Sequence, residues 1–147
     1  MKQLLLFMGA ILFAGCEGGM DSDQQARHAA EEWAEAYFNC DFKDASEYVT
    51  PESQKWLQYA ASNTSAEELK QLQEAGGAKV IASEGFDKAN DTMRLVTLNV
   101  TNSLKPKGQG TTEIITDATF KVEVVKREAG WLVRMAGLPR SEKQSRD

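Results

Sequence analysis

Three tyrosines, one histidine and two cysteines set the range of proton-transfer, metal-binding and nucleophilic chemistry open to this chain, and their spacing narrows it. His28 stands alone among alanines and glutamates. No second His or Cys lies at the separation that zinc ligation requires, so a solvent-facing helix residue is expected and a metal site is not. Cys40 falls in phase with the apolar residues before it and is expected to be a buried, inert thiol. Tyr37, Tyr48, Tyr59 and Trp131 could line an apolar cavity, although aromatic residues at helical spacing more often fill a core. Arg94 shares strand parity with Val96 and Leu98. Facing inward, it would offer a site for an anion; at the first turn of a strand it is expected instead to snorkel toward water. Asp117 has the opposite parity from Phe120 and is expected to face out, so the sequence assembles no acid–base pair inside the domain. No cofactor is implied.

Charge narrows the partners. With 17 basic and 22 acidic residues the chain carries a net charge of -5, which argues against nucleic acid. The charge is unevenly spread, because residues 17–76 sum to minus nine and residues 77–147 to plus three. Such a dipole can orient a domain against a charged membrane or partner, although solvated helix faces carry charge in any case.

The first residues belong to no folded domain. Lys2 precedes an apolar run over 4–13, too short to span a bilayer and suited to the apolar part of a secretory signal. The segment Phe13-Ala14-Gly15-Cys16 resembles a bacterial lipobox, although Phe13 stands where leucine is usual. The resemblance implies cleavage before Cys16 and lipid on its sulfur. Residues 1–15 are then a signal peptide, 16–22 a tether, 23–139 one domain, and 140–147 a charged tail expected to be disordered. With Cys16 lipidated, Cys40 is the one thiol left and no internal disulfide can form. At about 0.8 kcal/mol per buried methylene, two or more acyl chains make membrane attachment effectively permanent. The expected address is the bacterial cell envelope, the outer membrane ahead of the inner. Asp91-Thr92-Met93 resembles the O-glycosylation site of exported Bacteroidota proteins, which would make Thr92 a modified residue.

The elements that must position these residues come in two halves. Ser22 and Gln25 form a capping-box pattern, and Ala26, Ala30, Trp33, Tyr37 and Cys40 follow at helical steps. Asp41 can cap a second short helix carrying Phe42, Ala45, Tyr48 and Val49. Thr50-Pro51 opens a third helix holding Trp56, Leu57 and Ala60. Ser65 and Glu68 repeat the capping box before a fourth helix that ends at Gly76-Gly77. Beyond Gly77 the period becomes two. Strands are expected over 79–86, 92–102, 111–127 and 131–138, with a polar turn over 87–91 and a loop over 103–110. The third strand is long enough that it should bend or bulge near Asp117-Ala118.

Helices followed by strands joined in hairpins give an α+β fold, with N-terminal helices on a curved antiparallel sheet of about four strands. From Ala29 to Gly137 the chain resembles small exported lipoproteins with a nuclear transport factor 2-like (cystatin-like) cone. The resemblance is carried by Trp33-Ala34-Glu35-Ala36-Tyr37-Phe38, by Asp41-Phe42-Lys43-Asp44-Ala45 and Tyr48-Val49-Thr50-Pro51-Glu52-Ser53, and by Gly130-Trp131-Leu132-Val133. It implies a concave face that can form a pocket, the site of catalysis in isomerases and hydrolyases of that superfamily. The expectation drawn from the chain is a membrane-tethered binding or interaction module, contacting an envelope protein or a small-molecule ligand. The alternatives are an envelope enzyme working in the cone and a structural component with the cone filled. An open cavity with converging polar groups would favour an enzyme or ligand binder, and a packed interior with an exposed apolar sheet patch a protein partner.

Overall fold

The computed structural model describes residues 21–104 and 113–141, without the side chains of 84–89. The expected signal segment, Cys16 and the rest of the 16–22 tether up to residue 20, most of the 103–110 loop and the tail beyond Ser141 therefore lie outside the described residues. Helix α1 spans Ser22–Phe38, and its N-cap is Asp21, one residue before the expected Ser22; the Asp21 carboxylate accepts from the Gln24 amide at 2.9 Å. A carboxylate placed there satisfies an orphan amide and also meets the positive end of the helix dipole. The buried face of α1 is rich in alanine, with Ala26, Ala29, Ala30 and Ala34 around Trp33. Small side chains let the helix lie close to the sheet, and α1 contacts all four strands of the main sheet.

The helix stops at Phe38, short of Cys40. Cys40 adopts a left-handed φ of 64° in the following turn and is half-buried, so it is not on the apolar face of α1 as expected. Helix α2 (Phe42–Ala45) is capped by Asp41 and passes into a 3-10 turn, Ser46–Tyr48. The expected continuous second helix breaks here because Val49 turns extended and pairs in parallel with Val133, while the Thr50 amide donates to the Val133 carbonyl at 3.0 Å. A second 3-10 turn, Pro51–Ser53, leads into α3 (Gln54–Ser62), and α4 (Ala66–Glu74) begins with the expected Ser65–Glu68 capping box, both bonds present.

The junction between the two halves is built on glycine and asparagine. Gly76 and Gly77 have φ of 94° and 81°, a region that only glycine enters without steric cost. The Asn39 side chain accepts from the Ala78 amide at 2.8 Å and donates to the Ala78 carbonyl at 3.0 Å. The Asn102 carboxamide donates to the Ala75 and Gly77 carbonyls. Backbone groups that neither helix nor sheet can pair are satisfied in this way.

Strands β1 (Lys79–Asn90), β2 (Met93–Thr101), β5 (Ala118–Arg127) and β6 (Gly130–Arg134) form one antiparallel sheet in the order β1-β2-β5-β6. Two short strands between them, β3 (Ser103–Leu104) and β4 (Ile114–Ile115), pair with each other. The expected break in the long third strand falls at Thr116-Asp117, between β4 and β5. The first hairpin is tighter than expected. Lys88 pairs with Arg94 and Asn90 with Met93, which leaves Asp91 and Thr92 as the turn, and Asn90 Oδ1 accepts from the Thr92 amide at 2.8 Å. Register slips on β1 between Ala82 and Phe86, a bulge opposite Val96 and Leu98.

The sheet's inner face carries Val96, Leu98 and Val100 from β2, Phe120, Val122 and Val124 from β5, and Trp131 and Val133 from β6, all buried. Trp33 lies in the middle at 0% exposure, stacked on Tyr37 at 5.0 Å between ring centroids, and Phe38 meets Phe120 at 4.7 Å. The space beneath α1 is filled by large side chains. The protein is thus an α+β domain with its helices packed on a four-stranded antiparallel sheet.

Candidate functional site

Arg94, expected to reach water, is 3% exposed. The reason is its position: the inner face of β2 at this end lies under the first turn of α1, and Asp23 on that turn holds Arg94 Nε at 2.9 Å. The guanidinium also donates to the carbonyls of Asn90 and Met93 and lies 5.0 Å from the centre of the Trp131 ring. A guanidinium removed from water persists only when paired and hydrogen-bonded, and this one is both. Its charge is met by Asp23, so the cluster joins α1 to the sheet and leaves little field for an incoming anion.

The other aromatic candidates differ in burial. Tyr37 is half-buried between Trp33 and Phe42. Burial pushes its phenol well above the ordinary tyrosine range, and the Cys40 thiol nearby adds to the effect. Tyr48 is half-buried at the end of its 3-10 turn, with its phenol raised by partial desolvation and then by Glu32, Asp44 and Glu47. Tyr59 is 50% exposed on α3. Trp131 packs beneath Arg94. Tyr37 and Tyr48 pack against the same hydrophobic core that contains Trp131, and Tyr59 stands apart on α3. Thr92 is exposed in the two-residue turn before β2, Asp117 is exposed as expected, and His28 faces solvent 3.6 Å from Glu32. No group of three His, Cys, Asp or Glu residues able to hold a metal ion occurs among the described residues.

An open space lies elsewhere. A strand was expected over 131–138, but β6 ends at Arg134. The Met135 amide turns away from the ladder to donate to Ser53 Oγ at 2.8 Å, and Ser53 is itself bonded to Thr50 Oγ1 at 2.7 Å. The chain then swings out over Ala136–Arg140 and returns at Ser141, which bridges Phe120. Between this arch and β5 opens a cleft of about 490 Å³, within the usual size of small-molecule sites.

One wall of the cleft is apolar, made by Val122, Val133, Met135, Leu138 and Pro139, with the edge of Trp33 and Leu95 beside it. Its ionisable groups are Lys121, Glu123, Arg134 and Arg140, and the Glu123 carboxylate is ion-paired with Arg134 across β5 and β6. None of Tyr37, Tyr48, Tyr59, Arg94 or Trp131 lines it. These lining residues escaped the sequence reading because alternation continues through Met135 to Leu138; Gly137 and Pro139 were the available sign that a strand could not. Chemically the lining can bind charge and apolar surface together. Farther along β5, Arg127 forms a two-pronged ion pair with Glu52, at 2.8 and 3.4 Å, and this holds the Glu52 carboxyl down to about 2.

No protein-family model matches the sequence, and no curated protein matches it. Among solved structures the chain is similar to an "Ntf2 like protein involved in plasmid conjugation", with a TM-score of 0.42 and 20% identity over 82% of this chain and 49% of that one. It is also similar to the intermembrane space region of chloroplast protein ARC6, with a TM-score of 0.46 and 14% identity over 83% of this chain and 96% of that one. The chain spans about half the length of the plasmid-conjugation protein. Similarity at this level describes the course of the backbone and says nothing of chemistry.

Proposed function

We propose that this chain is a lipid-anchored protein of the bacterial cell envelope whose domain serves as a binding module. The observation that carries the binding part is the cleft beyond β6, an open space that pairs an apolar wall with fixed charges while the interior beneath α1 is packed. Its lining combines ionisable side chains with hydrophobic surface, a set suited to recognition. The anchoring part is supported by the order of Lys2, the apolar run over 4–13, and Ala14-Gly15-Cys16. Among the described residues no helix is long and apolar enough to cross a membrane.

Each part has its own test. Expressed in a bacterial host, the wild-type chain should fractionate with membranes and yield an N-terminal Cys16 peptide bearing fatty acid, and Cys16→Ser should release it. A Cys16→Ser protein that stays with the membrane, with no acylated peptide from the wild type, would overturn the anchoring. For the cleft, native mass spectrometry of the purified protein should detect a retained small molecule that Gly137→Phe, a bulky substitution at a lining position, no longer retains; no retained molecule would overturn the binding part.

A further inference from the structure

The main sheet has two edge strands, β1 and β6, and an edge is a row of backbone groups that another strand can pair with. On β6 the row is taken up from the helical half: the Thr50 amide donates to the Val133 carbonyl, and just past the strand the Met135 amide donates to Ser53 Oγ. On β1 the partners are side chains of α1. Asn39, its C-cap, exchanges two bonds with the Ala78 backbone, as a neighbouring strand would. At Ala82 two residues share that task. The Ala82 amide donates to Glu31 Oε2 at 3.4 Å, and Arg27 Nη2 donates to the Ala82 carbonyl at 3.0 Å. From Glu31 to Asn39 a helix advances about 12 Å, and from Ala78 to Ala82 a strand advances about 13 Å, so one stripe of α1 keeps step with the outward groups of β1.

In an antiparallel ladder alternate residues point their amides and carbonyls away from the neighbouring strand, so Val80 faces outward with Ala78 and Ala82. Ile81, between Val80 and Ala82, sends its side chain to the sheet face opposite α1, where it is 67% exposed. Left uncovered, this stretch is complementary to itself. Two copies related by a twofold axis would pair Val80 of each with Ala82 of the other and set the two Ile81 side chains against each other at the centre. We propose that Arg27 and Glu31 are a guard that holds this edge shut against the β1 strand of a second copy of the chain. With the Ala82 groups occupied the reciprocal pairing cannot form, and the main sheet stays at four strands.

The test compares the full chain, in mild detergent with a reductant to keep Cys40 from bridging, with the same chain carrying Arg27→Ala and Glu31→Ala. Native mass spectrometry and amide hydrogen exchange are read over a series of protein concentrations. In the wild type the Ala82 amide should be protected at every concentration. In the double variant it should exchange about tenfold faster at the lowest concentration. As the concentration rises a dimer should form in which the Val80 and Ala82 amides become protected together, while Ile81, paired with Asn99 in the sheet, changes little. Should the double variant not fold, Glu31→Ala alone frees the Ala82 amide and is read in the same way. A folded variant that gains no protection at Val80 and Ala82 at any concentration, dimeric or not, would overturn the guard, and so would a wild-type dimer already protected at Val80.

Discussion

Arg94 and Glu52 show how differently two ion pairs can weigh in one small domain. Arg94 is enclosed, and Asp23, at 43% side-chain exposure, keeps one side in water. Asp23→Asn should therefore cost only about 1–2 kcal/mol in urea unfolding, because the guanidinium keeps two carbonyl acceptors. Arg94→Ala should cost more, about 2–4 kcal/mol, since it empties space over Trp131, and Arg94→Met should recover much of that loss. Glu52 is exposed, and its pairing with Arg127 is legible in titration more than in stability. Its carboxyl falls from 4.5 to about 2 in the folded protein. The pair's contribution is complete above the unfolded value and is lost as pH falls from about 4.5 toward 2. The Glu52 carboxyl carbon should titrate near that lower value by NMR, and in Arg127→Gln it should return to the ordinary glutamate range. Tyr37 has the opposite sign. Its neutral form is favoured by burial, so the stability it lends is whole below the ordinary tyrosine value and fades as pH rises past it.

At the scale of elements, the Ser65–Glu68 cap and the Gly76-Gly77 stop were the most readable features because their chemistry is local. Ser65 and Glu68 reciprocate across a single turn, and Ser65→Ala should cost about 1 kcal/mol by thermal or urea unfolding. Gly76 and Gly77 both require left-handed backbone, but a methyl group at Gly76 meets nothing, whereas at Gly77 it would stand 3.0 Å from Asn39 Oδ1. Gly76→Ala should therefore cost about 1 kcal/mol, and Gly77→Ala measurably more, because it also disturbs the Asn39 bonds to Ala78. Strand ends were less readable. The pattern that continues through Met135 and Leu138 is compatible with a strand, yet Ser53 draws the Met135 amide away from the ladder. A residue far along the chain decided where β6 stops.

For the whole molecule, the packed interior settles how the helices hold the sheet. Trp33, at 0% exposure, touches Tyr37 and Phe38 and borders the cleft. Trp33→Ala should cost about 3–5 kcal/mol, a large share of the stability of a domain this size, and should be read as a loss of cooperative unfolding rather than as a binding defect. The uneven charge of the two halves has a structural counterpart, since the acidic half is helical and the basic half supplies Lys121, Arg134 and Arg140 at the cleft.

What the sequence determined unaided was the order of elements, the antiparallel pairing implied by short connections, the inward parity of Val96, Leu98, Phe120, Val122 and Val124, and the break near Asp117. All of these follow from periodicity and local hydrogen bonding, which neighbours along the chain fix. Tertiary structure alone decided that Arg94 is enclosed, that Tyr37, Tyr48 and Trp131 join one packed core while Tyr59 stays exposed, and that a cleft opens beneath the arch beyond β6. These outcomes depend on contacts between residues far apart in sequence, Asp23 with Arg94 and Ser53 with Met135. Such pairings set burial and direction by geometry that no local pattern encodes.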